Sequence, residues 1–310
     1  MRDHISGLHH VTAMAADPQT NNDFYTRTLG LRRIKKTVNF DAPDVYHLYY
    51  GDAVGTPGSV MTYFPFPDIG PGKRGAGEVT ETAFAVPTGA LGDWAERFAA
   101  QGVNGLRSAE RFGAQRLEFA GPDGEGLALV EVADDARAPY SGGPVPAAQG
   151  IHGFHGVTMR LRDGAATGAL LSLMGFERAG TEGALTRYVM PDGNGAGIVD
   201  TETAPDAPPA RLGAGSVHHV AFAVADRAAQ AAVRAALVEA GQQVTPVIDR
   251  DYFWAIYFRA PGGVLFEIAT HEPGFDRDES LSELGTTLRI PDQHAHLRAR
   301  LERVLPPIRD

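Results

Sequence analysis

One strand-like segment occurs four times along this 310-residue chain, and that recurrence limits the architecture more than any single motif does. Val79-Thr80-Glu81-Thr82-Ala83-Phe84-Ala85-Val86 matches Val217-His218-His219-Val220-Ala221-Phe222-Ala223-Val224 at five of eight positions without a gap. Leu8-His9-His10-Val11-Thr12 and Phe154-His155-Gly156-Val157-Thr158 fit the same frame. Each is apolar and β-branched enough for a strand. A helix-like stretch follows, closed by Gly30, Gly102, Gly175 or Gly241, which lie 20, 21, 19 and 22 residues past positions 10, 81, 156 and 219. A glycine there can take the left-handed conformation that ends a helix. Each unit then closes with a turn and another apolar strand, so it reads as strand, helix, several strands.

The Pro/Gly-rich stretch 134–146 divides the chain into two halves of two units each, 1–140 and 150–310. The expected units span about 5–66, 78–133, 151–201 and 215–271. A second loop, 200–216, carries Pro205, Pro208 and Pro209 and parts the third unit from the fourth. In the tail from Pro291 to Leu305, Leu297, Leu301 and Val304 recur at helical spacing, which predicts a docked C-terminal helix. Gly193-Asn194-Gly195-Ala196-Gly197 lacks the spacing of a dinucleotide loop and reads as a hairpin turn.

Chemistry is narrowed by what is missing. Cysteine is absent, which excludes disulfides, thiolate metal sites and a cysteine nucleophile. Any metal must be held by His, Asp, Glu or Tyr. With 28 basic against 38 acidic side chains the net charge is -10, so nucleic acid and anionic membranes are not expected partners. Met1-Arg2-Asp3-His4 opens no apolar leader, and no run nears the roughly 18 apolar residues of a membrane span. A cytoplasmic protein is expected. No phosphate-binding loop, His-Glu-x-x-His or Gly-x-Ser-x-Gly motif is present.

The repeat itself points to candidate ligands. Matching inward places on the first strands are His10, Glu81, Gly156 and His219; on the last strands they are read as Tyr63, Glu131, Asp200 and Glu267. Units one and four therefore offer two imidazoles and a carboxylate, while units two and three offer no imidazole and read as a degenerate copy. Glu267 stands between Phe266 and Ile268, where an ionised carboxylate needs a partner, and a metal is the simplest one. Tyr63 is a weak ligand as a neutral phenol. Two imidazoles and one carboxylate with open positions suit non-haem Fe(II) oxygen chemistry, whereas four ligands would suit a Lewis-acid isomerase or lyase. His47 is placed to touch a substrate, Phe253 and Trp254 to line a pocket or fill core, His294 and His296 to face solvent, and Lys35-Lys36 to form a solvated strand end.

Finer stretches narrow the reading: Gly7-Leu8-His9-His10-Val11-Thr12; Lys36-Thr37-Val38-Asn39-Phe40-Asp41 with Tyr46-His47-Leu48-Tyr49-Tyr50-Gly51-Asp52; and Asp249-Arg250-Asp251-Tyr252-Phe253 through Ile256-Tyr257-Phe258-Arg259 to Phe266-Glu267-Ile268-Ala269-Thr270. The chain resembles the vicinal oxygen chelate superfamily and, within it, the ring-cleaving dioxygenases that act on hydroquinones, over nearly its whole length. The resemblance implies an α+β fold of four βαβββ modules in two glyoxalase-like domains. It further implies a mononuclear Fe(II) or Mn(II) site that opens an aromatic diol with O2, and leaves a homo-oligomer open. Carried over by position, His10, His219 and Glu267 are the expected ligands, and His9, His218, Arg250 and Tyr257 the expected supporting residues. Alternation puts His9 and His10 on opposite faces of an ideal strand, so His9 and His218 share the pocket only where the strand bulges. A glyoxalase-like lyase or isomerase and a non-catalytic aromatic-binding module are the competing readings.

Overall fold

The computed structural model describes residue 1 and residues 3–309. The first module comprises β1 (Ile5–Ala15), α1 (Pro18–Asp23), β2 (Arg32–Val38), β3 (Tyr46–Gly51) and β4 (Val60–Pro65). The second comprises β5 (Glu78–Pro87), α2 (Leu91–Ala100), β6 (Arg107–Arg111), β7 (Ala114–Ala120) and β8 (Gly126–Val132). The third comprises β9 (Gly153–Leu161), α3 (Ala165–Leu173), β10 (Glu177–Glu182), β11 (Leu185–Val189) and β12 (Ile198–Thr203). The fourth comprises β13 (Val217–Val224), α4 (Arg227–Glu239), β14 (Ile248–Asp249), β15 (Phe253–Arg259) and β16 (Leu265–Pro273). The α+β arrangement of four βαβββ units is as the repeat predicts.

Local chemistry sets the helix ends. Asp17 caps α1 by accepting from the Thr20 N–H at 2.7 Å, and Asp226 caps α4 by accepting from the Ala229 N–H at 2.8 Å. Gly30, Gly102, Gly175 and Gly241 all have positive φ, which lets the chain turn from helix to strand. Among the described residues, no helix is long and apolar enough to cross a membrane.

The strands assemble into two eight-stranded sheets, ordered β14-β15-β16-β13-β1-β4-β3-β2 and β10-β11-β12-β9-β5-β8-β7-β6. β1 joins β13 antiparallel at the centre of one, and β5 joins β9 antiparallel at the centre of the other. Module one therefore shares a sheet with module four, and module two with module three. The halves 1–140 and 150–310 do not each own a sheet, because the edge left open by each first strand is filled from the opposite half of the chain.

All four first strands carry a bulge at one repeat position. In β1, Leu8 pairs with Phe222 and His10 with Ala221, which leaves His9 as the extra residue; in β13 the extra residue is His218, between His219 and Val217. Thr80 in β5 and His155 in β9 hold the same place. A bulge interrupts strict alternation, so both members of each His-His pair can serve one site.

Behind the sheets, Trp94, Phe98, Phe154, Phe222 and Leu237 belong to a continuous apolar core. The tail departs from expectation: residues 292–297 form a 3-10 turn and only α5 (Arg298–Val304) is α-helical. Leu301 is buried in the core, whereas Val304 faces solvent. His294 bonds the Phe40 carbonyl at 2.8 Å, and His296 alone of that pair is exposed. Lys35 is not solvated either. Its ammonium is fully buried, 2.6 Å from Glu279, 2.8 Å from Asp278 and 2.8 Å from the Phe275 carbonyl, and it pins the C-terminal segment against β2.

Candidate metal centre

β1, β13 and β16 present His10, His219 and Glu267 to one point on the concave face of the first sheet. His10 Nε2 lies 3.3 Å from His219 Nε2 and 3.3 Å from Glu267 Oε2, and His219 Nε2 lies 3.0 Å from the same oxygen. With bonds of about 2.1 Å, two ligand atoms subtending between a right angle and a tetrahedral angle sit about 3.0–3.4 Å apart. The triangle thus has the dimensions of one face of a coordination sphere. All three residues are buried, and neither oxygen of Glu267 has a hydrogen-bond partner. A divalent cation fits that orphaned carboxylate.

The proton positions agree with this. The Thr270 carbonyl can only accept, so His9 Nε2, 3.1 Å away, carries its proton. Burial holds the His9 pKa well below the usual imidazole range, so the ring is neutral and its Nδ1 is an acceptor. His10 Nδ1, 3.0 Å away, must then donate, which turns His10 Nε2 toward Glu267. The second pair repeats the contact: His218 Nδ1 is 2.8 Å from His219 Nδ1. Burial lowers the His219 pKa, and burial together with the adjacent His219 takes His218 down to about 4. Burial alone would raise the Glu267 carboxyl, but the imidazoles of His10 and His219 outweigh it and hold the group well below the usual carboxylate range. Two imidazoles and one carboxylate are thus placed as ligands.

A cavity of about 460 Å³ opens over this centre. His218, Arg250 and Tyr257 line it, as do Phe253, His47 and Tyr49. Arg250 Nε donates to the Tyr257 hydroxyl at 3.2 Å, and the guanidinium lies 3.6 Å from Asp41. Burial, reinforced by Glu267, keeps the Tyr257 phenol far above its ordinary pKa, so it remains protonated. Trp254 lies outside the cavity lining, under the Arg227 guanidinium at 4.2 Å. His9 also lies outside it and borders a separate recess with His271 and Tyr252. Its contact with the centre runs through His10.

Two last-strand positions differ from the sequence reading. Pairing sets Ala221 opposite Glu267, Thr12 opposite Thr62 and Ala83 opposite Ala128, so Thr62 and Ala128, not Tyr63 and Glu131, occupy the Glu267-equivalent places. One residue of register turns a side chain to the other face. Tyr63 accordingly points into the core, 2.5 Å from the Tyr25 hydroxyl and 3.1 Å from Glu125. Glu131 accepts from the Gly89 N–H at 2.8 Å. Asp200 is placed as expected, opposite Thr158.

In the second sheet, arginines fill the matching space. Arg187 binds Asp200 through two 2.8 Å bonds, Arg111 lies 3.0 Å from Glu81, and Arg116 also contacts Glu81. Among the described residues, His10, His219 and Glu267 form the one cluster able to hold a metal ion.

The family model of the glyoxalase/bleomycin resistance protein/dioxygenase superfamily matches residues 7–129 and 145–268. The chain is 40% identical over 97% of its length to MhqO of Bacillus subtilis (strain 168), assigned as a ring-cleaving dioxygenase, and covers 96% of that protein. It is 36% identical to the chlorohydroquinone/hydroquinone 1,2-dioxygenase of Sphingobium indicum, again over 97% of this chain and 96% of the relative. A crystal structure from Bacillus subtilis, assigned as a dioxygenase, superposes with a TM-score of 0.95 at 40% identity, covering 99% of this chain and 98% of the other.

Proposed function

The chain belongs to the glyoxalase/bleomycin resistance protein/dioxygenase superfamily, and from that premise we propose that it is a metal-dependent ring-cleaving dioxygenase that inserts both atoms of O2 into a hydroquinone-type aromatic diol. The observation that carries this reading is the convergence of three ligand atoms within 3.0–3.3 Å of one another at a cavity open to a small aromatic molecule.

His10, His219 and Glu267 would hold the ion, with Fe(II) the proposed occupant and Mn(II) an accepted substitute. Bound there, such an ion would acidify a ligating phenol and supply the electron that O2 needs. His218, its Nδ1 engaged by His219, would take the substrate proton at Nε2. Arg250 provides a permanent charge in a mostly apolar cavity and would hold the anionic oxygen as the ring opens. Tyr257, kept as a phenol, would donate to that oxygen. His9 would act through His10, fixing its tautomer and ring orientation.

The isomerase or lyase alternative is disfavoured by the register of β4, which withdraws Tyr63 and leaves three strong ligands. The non-catalytic alternative does not require a complete ligand set. Oxygen uptake by Fe(II)-reconstituted protein given hydroquinone tests the proposal, with catechol and the methylglyoxal-glutathione adduct as comparators. Consumption of one O2 per hydroquinone is expected; no uptake with any aromatic diol overturns the reading.

A further inference from the structure

The internal repeat relates two phenols that face the same cavity. Tyr257 pairs with Glu267 across β15 and β16, and Tyr49 pairs with Thr62 across β3 and β4; Thr62 holds the Glu267-equivalent place, so Tyr49 is the module-one counterpart of Tyr257. Burial, then Tyr257 and Glu267, push Tyr49 well above the usual phenol range, so it too stays protonated. Each phenol is also held by a basic neighbour. Arg250 bonds Tyr257, while His47 Nδ1 lies 2.8 Å from the Tyr49 hydroxyl.

His47 is itself fixed. Its Nε2 lies 2.8 Å from Thr62 Oγ1, which lies 2.8 Å from Thr12 Oγ1. This chain of hydroxyls and one neutral imidazole can run in either direction, so Tyr49 can donate or accept at its remaining position. Two nearby acceptors are taken by backbone: Asn39 Oδ1 accepts from the Asp41 and Ala42 N–H groups, and Thr245 Oγ1 accepts from the Tyr257 N–H. Elsewhere the wall is apolar, with Met14, Phe64 and Leu265 among its residues.

We propose that Tyr49, oriented by His47, receives the substrate hydroxyl remote from the metal, and so selects a para-diol over a phenol with one oxygen. This rests on the ring-cleavage reading. One end of the ring belongs to the metal, Arg250 and Tyr257, and the other end meets the counterpart phenol of module one. An aromatic ring with oxygens at opposite ends satisfies both; a ring with one oxygen leaves the remaining position of the Tyr49 hydroxyl unfilled.

The test is binding without turnover. Protein loaded anaerobically with Fe(II) is titrated with hydroquinone, phenol and catechol, in wild type, Tyr49→Phe and His47→Gln. Wild type is expected to bind hydroquinone about tenfold more tightly than phenol, the effect of one buried hydrogen bond. Tyr49→Phe should bring the two affinities together while leaving phenol binding unchanged, and His47→Gln should lose part of the preference, which keeps the test alive if one variant fails to fold. An undiminished preference in Tyr49→Phe, or no preference in wild type, overturns the inference and leaves ring cleavage standing. Failure of all three phenols to bind wild type overturns both.

Discussion

Arg187 grips Asp200 through two parallel 2.8 Å bonds, at the repeat position where Glu267 instead faces two imidazoles. The same carboxylate place is neutralised by a guanidinium in one sheet and left for a cation in the other.

Asp200→Asn should therefore leave metal content at one ion per chain while weakening the fold. Removing one partner of a buried ion pair strands the other, at about 3 kcal/mol. Metal analysis beside denaturant unfolding checks this, and a lost metal would show that the second sheet contributes to the site.

His219→Ala and Glu267→Gln should each lose the metal on dialysis. His9→Ala should be milder: its ring touches His10 but not the cavity, so metal affinity should fall about 10–100-fold with KM for hydroquinone unchanged at saturating metal. A changed KM would place His9 on the substrate.

Arg250→Ala should fold and keep its metal, because the guanidinium contacts Tyr257 and Asp41 and none of the three ligands. Loss of a donor aimed at developing charge lowers kcat by about 10²-fold. Steady-state kinetics at fixed metal occupancy decides; a normal rate would make Arg250 an ion-pair residue only.

His155 gives the pH dependence. Burial, with Arg187, Arg116 and Arg137 nearby, lowers its pKa from 6.5 to about 3, and its Nε2 has no partner. Between those values the unfolded chain binds a proton that the folded chain refuses, so stability is lost as pH falls below about 6.5. From pH 7 to pH 5 this one group accounts for about 2 kcal/mol. His155→Leu should flatten the stability profile by that amount in denaturant titrations at the two pH values; an unchanged slope would mean that His155 is protonated when folded.

The repeat made the four modules and the three candidate ligands legible, because equal spacing and a buried glutamate between Phe266 and Ile268 are properties of the chain alone. Which modules share a sheet was not legible: every first strand has the same open edge, and the choice of partner depends on contacts between distant segments. Tyr63 was displaced by the opposite weakness. Parity within a strand is set by its neighbour's register, and the apolar run Val60–Tyr63 alternates too weakly to reveal it. Tyr49 escaped notice for the same reason, since all six residues of β3 are buried. Lys35 looked solvated because its acidic partners, Asp278 and Glu279, lie over 240 residues away.

His10 and His219 stand 209 residues apart yet join through adjacent central strands. During synthesis, modules two and three can close their own sheet while β1 still waits for its neighbour to leave the ribosome. The metal centre is thus completed only once the fourth module has emerged. Chains that stop before His219 carry one imidazole of the pair and no Glu267, so an incomplete product lacks the three-ligand set.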